Sequence, residues 1–405
     1  MTWRTSGVKQ EVIYPEEVSD LPYLTMTTYQ RATRETDSMA DRGLDLPVLG
    51  LFGEVGSLLS ALKKKRREET AYADYDGAIL EELGDVLWYF ANIASRAGLN
   101  LSVLAQRMFR EIQDWDEVEV YEFGTFGDIQ SSCDVTVSFA EFQSRLMGLA
   151  GKVGDLVKDL GSGAILTNRD RLSAHLVDIF RALLAAADAG GVSLDAAASH
   201  NLHKIFSRWP IRSDYPQLPD SSMPVDERLS RRFSMFIEEH KINDKIYVLQ
   251  KCNDIIIGDR LTDNKTEKDD YRFHDVFHIA FAVFLGWSPV LRALFHHKRK
   301  SIPELDENQD GARAILIEEG VSSFIFARGL DRSLFENVGV DYDLLKFIQE
   351  FVRGYEVERC ALWQWEMAIQ EGFRVFRALK EHRCGYVHAD LEAHTLEFAG
   401  IESNN

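Results

Sequence analysis

Apolar residues recur every three to four positions over most of this chain. The recurrence predicts helices near 46–67, 77–97, 101–115, 139–160, 171–190, 194–208, 272–285, 311–328, 342–352 and 355–382. Two runs read as strands instead. These are "KIYVLQ" at 245–250 and "GYVHADLEAHTLEF" at 385–398, the latter a small terminal hairpin. The predicted fold class is all-α with a short β-hairpin at its end.

The pattern also repeats. "LGLFGEVGSLLSAL" (49–62) is echoed by "MGLAGKVGDLVKDL" (147–160), and "TTYQRA" (27–32) by "AEFQSR" (140–145). "EELGDVLWYFANIASRAGLNLSVLAQRM" (81–108) is echoed by "AHLVDIFRALLAAADAGGVSLDAAASHN" (174–201), which sets Asp85 on Asp178 and Gly98 on Gly191. Residues 20–118 and 135–210 therefore read as tandem copies of one helical-bundle unit, linked by the polar stretch 114–134. Four prolines between Pro210 and Pro224 mark a boundary, and 225–405 reads as a separate α-rich domain.

Composition narrows the function classes. A chain of 405 residues predicts two or three domains. With 46 basic against 65 acidic side chains the net charge is −19, which disfavours general binding to nucleic acid or anionic membrane. Acidic side chains still gather divalent cations, and phosphates through them. The cysteines, Cys133, Cys252, Cys360 and Cys384, form no C-x-x-C pair and point to a reducing compartment. The N-terminal residues show no apolar leader core, and no run approaches about 18 apolar residues. A cytoplasmic protein is the expectation.

Glu54 is a carboxylate among the apolar and small residues of the 46–67 helix. Glu82 and Asp85, three apart, share one face of the next. Three carboxylates converging inside a bundle repel one another unless a cation joins them. An all-oxygen set suits Mg²⁺, or Mn²⁺, and both accept phosphate oxygens as further ligands. The run Lys63, Lys64, Lys65, Arg66, Arg67 begins nine residues after Glu54 and offers charge for a polyphosphate. Read blandly, such a run is a solvated face and E-x-x-D a common pattern; it is their combination on adjoining helices that points to metal and phosphate.

"YQ" (29–30), "LGLFGEVGSLLSALKK" (49–64) and "EELGDVLWYFANIASRAGLNL" (81–101) resemble the MazG-type all-α nucleoside triphosphate pyrophosphohydrolases. The resemblance covers about a quarter of the chain closely, and about half with the second copy. It implies a nucleotide substrate, cleavage to monophosphate and pyrophosphate, and Mg²⁺ held by E-x-x-E and E-x-x-D motifs on adjacent helices. It carries catalytic and metal-binding roles to Glu54, Glu82 and Asp85, with Glu81 a candidate base or further ligand.

Departures from the family pattern follow a rule. Ser57 stands where the second glutamate of E-x-x-E belongs. Met108, Glu111 and Trp115 replace the family's Asn, Lys and Arg in the first copy, whereas the second keeps Asn201, Lys204 and Arg208. The second copy in turn has Lys152 at the Glu54 position, Ala174 and His175 at the Glu81 and Glu82 positions, and Asp155 opposite Ser57. The complementary losses suggest an internal pseudo-dimer, as family members pack as dimers, and leave a further homo-oligomer open. The first copy would then supply metal ligands, and Asn201, Lys204 and Arg208 would contact phosphate. The alternative is a second copy that only buries the bundle face.

The C-terminal stretch resembles the extra domain attached to some MazG-like proteins, with no activity to carry over. It holds a second candidate constellation: His274, Asp275 and His278 in "YRFHDVFHIAF", Lys298 and Arg299 in "HHKRK", and Glu318 and Glu319 in "ILIEEG". These residues suit a metal or phosphoryl ligand, or equally core histidines paired to glutamates. Further ligands at the spacing of an HD-type phosphohydrolase are missing. Trp363, Trp365 and Phe373 read as core. The leading function is Mg²⁺-dependent nucleotide pyrophosphohydrolysis. Its competitors are a nucleotide-binding sensor on a decayed enzyme scaffold, supported by Ser57, and a purely structural interaction protein.

Overall fold

Helices form where the periodicity places them, and capping side chains set several of their ends. The computed structural model describes residues 24–37, 43–109, 124–130 and 138–401, in two compact units, Met1–Ile211 and Arg212–Asn405. Glu111, Trp115, Cys133, the N-terminal leader region and most of the 114–134 link lie outside the described residues.

The first unit contains α1 (Met26–Glu35), α2 (Asp45–Glu68), α3 (Tyr75–Arg96), α4 (Leu101–Phe109), α5 (Phe139–Gly161), α6 (Arg169–Gly190) and α7 (Leu194–Arg208). Thr25, Ser138, Asn168 and Ser193 each accept a backbone N–H at the start of α1, α5, α6 and α7. Gly191, at φ 67°, closes α6 in the left-handed conformation that glycine adopts without strain. Helix α2 packs on α3, α5 on α6, and α2 on α5. The third helices cross over: α4 packs on α6 and α7 on α3. Residues from both proposed copies thus enter one core, among them Leu51, Val55 and Leu58 of α2, Leu149 and Val153 of α5, and Phe180 of α6. Among the described residues, only α2 is long and apolar enough by composition to cross a membrane. Its apolar stripe is buried in this core instead.

Two glutamines occupy matching places. Gln30 donates to the Leu99 carbonyl (2.8 Å) and accepts from Leu101 N–H (2.9 Å). Gln130 donates to the Val192 carbonyl (2.8 Å) and accepts from Leu194 N–H (2.9 Å). Both fasten the turn entering a third helix. This corrects the pairing of 27–32 with 140–145. Residues 140–145 lie in the first turns of α5, and the glutamine whose contacts parallel those of Gln30 is Gln130. Local similarity of "YQ" and "FQ" misled because the equivalence is made by distant backbone partners.

Close approach of α3 and α7 depends on Gly84. A Cβ there would stand 2.7 Å from the Ala197 carbonyl oxygen and 2.9 Å from Asn201 Cβ. We expect Gly84→Ala to destabilise the unit by about 1–3 kcal/mol through overpacking. Gly53→Ala, where an added Cβ meets nothing within 4 Å, is expected to stabilise it slightly. Thermal unfolding of the two variants distinguishes them; equal shifts would refute the close-approach argument.

In the second unit, β1 (Arg232–Ile242), β2 (Lys245–Cys252) and β3 (Ile255–Ile256) precede α8 (Asp275–Leu285), α9 (Pro289–Leu294), α10 (Pro303–Asn308), α11 (Ala312–Leu330), α12 (Tyr342–Phe351) and α13 (Leu362–His382). β4 (Cys384–Asp390) and β5 (Thr395–Ala399) follow. The terminal hairpin is real, but it forms two strands of a five-stranded antiparallel sheet in the order β3-β2-β1-β4-β5. Met235, Ile237, Val248, Val387 and Leu396 join the core with α8 and α13. The protein is mostly helical, as expected, and the central strand β1 adds the sheet that the reading of a hairpin alone lacked. Glu238, Glu239, His240 and Lys241 hide its alternation, and partners on neighbouring segments satisfy the charges: Lys251 meets Glu238 at 2.5 Å and Arg272 meets Glu239 at 2.8 Å. A signal was available. Asn243-Asp244 and Asn253-Asp254 all take positive φ, as two-residue hairpin turns require.

Candidate functional site

Helices α2 and α3 bring Glu54, Glu82 and Asp85 together, with one oxygen from each lying within 4.8 Å of the others. All three are half-buried. Burial first, then the charges of Glu54, Asp85 and Glu81, pushes the Glu82 carboxyl up to about 8. Burial also raises Glu54, which shares a hydrogen bond with Glu82. Two carboxyls sharing a proton are what repulsion in a partly desolvated site produces without a cation. Such a donor set fits a hard divalent ion, which would take the proton's place.

Asp85 has different company. Asn201 Nδ2 donates to it at 2.8 Å, and Lys204 Nζ stands 2.5 Å from both its oxygens and 3.5 Å from Glu81 Oε1. Tyr29, fully buried, donates to the Asn201 amide oxygen at 3.2 Å and fixes its orientation. Burial raises Asp85 as well, with Lys204 and Asn201 pulling against it. Acids from α3 and the Asn and Lys of α7 therefore meet at one place, although 116 and 119 residues separate the partners.

Other predicted residues go elsewhere. Lys63 is about two and a half turns, or about 13 Å, along α2 from Glu54, and so lies on the opposite side of the helix. With Arg66 and Arg67 it lines a separate groove against Gln143 and Met147 of α5. Lys64 covers the Tyr72 ring at 4.2 Å. These four cations do not surround the carboxylates, because helix rotation carries them away. Arg208 lies over the Trp209 ring at 4.6 Å. Two residues escaped the sequence reading. His200, one turn before Lys204, is near Glu81 and Asp85, and burial lowers its pKa. Tyr89 is near Glu54 and Asp85, and burial raises its pKa. An i,i+4 spacing from Lys204 was the available signal for His200.

Between α5 and α6, Lys152 pairs with Asp178 at 2.9 Å. His175 pairs instead with Asp159 at 2.7 Å.

In the second unit His274, Asp275 and His278 cluster, all buried, with Glu318 and Glu319 of α11 beside them. Glu318 is fully engaged, accepting from His278 Nδ1 (2.9 Å), Ser288 Oγ (2.6 Å) and Val290 N (2.8 Å). Burial works to raise the Glu319 carboxyl, but the neighbouring imidazoles of His274 and His278 hold it far below the usual range. The cations predicted for this constellation are not there. Arg299 is buried in ion pairs with Asp310 (2.7 Å) and Glu356 (2.8 Å), and Lys298 makes no ion pair with the cluster among the described residues. Arg299 follows the buried acids nearest to it.

A family model described as the MazG C-terminal domain matches residues 214–402, nearly the whole second unit. Over 100 residues the chain is 33% identical to the Gene 37 protein of Mycobacterium phage L5, covering 21% of this chain and 82% of that protein. The chain belongs to the MazG-related family. In this MazG-related chain the carboxylate cluster lies in the unit preceding the matched domain. No solved structure matches the chain.

Proposed function

We propose that the first unit hydrolyses nucleoside triphosphates, ribo- or deoxyribo-, to monophosphate and pyrophosphate with Mg²⁺. One observation carries the reading: Glu54, Glu82 and Asp85 converge and are met by Asn201 and Lys204 from the later helix. Glu54, Glu82 and Asp85 would hold the ion, which when bound screens phosphate charge and acidifies a water. Glu81, outside that ligand set, would take the proton of the attacking water. The water oxygen would bond to the α-phosphorus, and the bridging P–O bond would break with its electron pair on the departing pyrophosphate. Lys204 stabilises the charge that develops. Crossed packing of α4 on α6 and α7 on α3, with the matched Gln30 and Gln130, supports an internal pseudo-dimer of two MazG-like repeats. Its second equivalent place is closed by the Lys152–Asp178 pair.

Pyrophosphate release from a panel of NTPs and dNTPs, with and without Mg²⁺, tests the activity. Lys204→Ala tests the composite site and is expected to slow release about 10²-fold or more. Full turnover in that variant would leave the second repeat as scaffold only. Ser57 in place of a carboxylate, and Lys204 already seated on Asp85, favour a second reading, a nucleotide-binding sensor. Binding without release, by calorimetry on the same panel, would select it.

A further inference from the structure

We propose that His274, Asp275, His278 and Glu319 of the second unit bind a first-row transition-metal dication such as Zn²⁺ or Mn²⁺. Spacing is the first argument. His274 Nε2 lies 3.2 Å from Asp275 Oδ1 and 3.6 Å from Glu319 Oε2, and His278 Nε2 lies 3.5 Å from Glu319 Oε1. Four ligands at about 2.0–2.1 Å from a tetrahedral ion stand about 3.3–3.4 Å apart. The two contacts to Glu319, one to each of its oxygens, are long for hydrogen bonds, and all three distances lie near the ligand–ligand separation in a coordination sphere.

Tautomers supply the second argument. His274 Nδ1 lies 2.9 Å from the Tyr271 carbonyl, which can only accept, so Nδ1 carries the hydrogen. His278 Nδ1 likewise donates to Glu318, a carboxylate that also accepts from Ser288 and Val290. Both rings therefore direct Nε2 at the cluster. Metal-binding histidines are oriented this way, the distal N–H tied to a carbonyl or carboxylate. His278 Nε2 is fully buried and has no hydrogen-bond partner. The Tyr271 ring stacks on His274 with centroids 4.3 Å apart, and Gln250 Nε2 donates to the outer oxygen of Asp275. Three of the four ligands are thus held by outer contacts. Glu319, whose side chain is 40% exposed, leaves a path for the ion to enter.

Ligand type sets the metal class. Two imidazoles with carboxylates suit zinc, iron or manganese better than Mg²⁺, so this site differs chemically from the all-carboxylate cluster of the first unit. Its demonstration is independent of nucleotide hydrolysis.

The full chain carrying Glu82→Gln, stripped with EDTA and re-equilibrated, would be titrated with Zn²⁺ and Mn²⁺ alone by calorimetry. One equivalent is expected for at least one of them. Affinity should fall tenfold or more on adding Glu319→Gln or His274→Ala, and Co²⁺ should give the intense visible bands of tetrahedral coordination, lost in both. His296→Ala, at an exposed histidine, should change nothing. Circular dichroism verifies folding, and the half-exposed Glu319 provides a variant expected to remain folded. Absence of binding by both metals, or affinity unchanged in Glu319→Gln and His274→Ala, would overturn the site.

Discussion

Glu82→Gln is expected to reduce pyrophosphate release by about 10²–10⁴-fold while leaving the first unit folded. The amide keeps the side chain's shape and its hydrogen bond with Glu54, but it can neither take a proton nor offer a metal a charged oxygen. Its effect on stability has a definite sign. In the metal-free protein the Glu82 carboxyl is raised from 4.5 to about 8 by burial and the neighbouring acids. The folded state therefore binds a proton that the unfolded chain releases near pH 4.5. The stabilisation is complete below that value and is lost as pH rises through about 8. In EDTA, thermal stability of the wild type should decline from pH 6 to pH 9, by about 1–2 kcal/mol once solvent screening of a half-exposed carboxyl is discounted. Glu82→Gln should flatten that decline, and Mg²⁺ should oppose it in the wild type alone. A decline of equal slope in both proteins would separate Glu82 from the raised titration. Undiminished turnover in the variant would end its catalytic role.

The largest stability effect is expected at Arg299, where Arg299→Met should cost about 3–5 kcal/mol. Its guanidinium is buried and bonds Asp310 at 3.1 and 2.7 Å and Glu356 at 2.8 Å twice. Asp310 is itself fully buried, and its other cationic neighbour, Arg292, is 3.6 Å away and paired at 2.8 Å with Asp220. Methionine preserves much of the volume but strands the carboxylates. Arg299→Lys should recover only part of the loss, since one ammonium cannot make both bidentate contacts. Urea unfolding of the full chain followed by tryptophan fluorescence provides the measurement. Arg67→Ala, at an exposed pair with Glu68, should change stability by less than about 0.5 kcal/mol. A cost below about 1 kcal/mol for Arg299→Met would show that solvent or rearrangement satisfies the acids.

Several results were legible in the sequence because they are local. The 3.6-residue recurrence located α2, α3 and α5 to within two residues at either end, since one helix face repeats wherever a core lies beside it. Glu82 and Asp85 three apart had to share a face, and the 28 residues from Glu54 to Glu82 span one helix–loop–helix passage. The same periodicity already puts Lys63, nine residues from Glu54, on the far side of α2, but it could not say that Lys63, Arg66 and Arg67 would line a groove against α5. Nor could it reveal β1, whose charged half looks like a solvated loop until Lys251 and Arg272 are placed against it.

The sequence by itself determined most of the helices, though not α1, α9 or α10, and which acids share a face, because such relations lie within a few turns of one chain segment. Tertiary structure alone decided that Asn201 and Lys204 reach Asp85, that Lys152 pairs with Asp178, and that Gln130 makes backbone contacts parallel to those of Gln30. Those contacts bridge up to 119 residues. The contacts of Asn201 and Lys204 exist because α7 crosses onto α3 against Gly84, a matter of packing shape that a linear pattern does not carry.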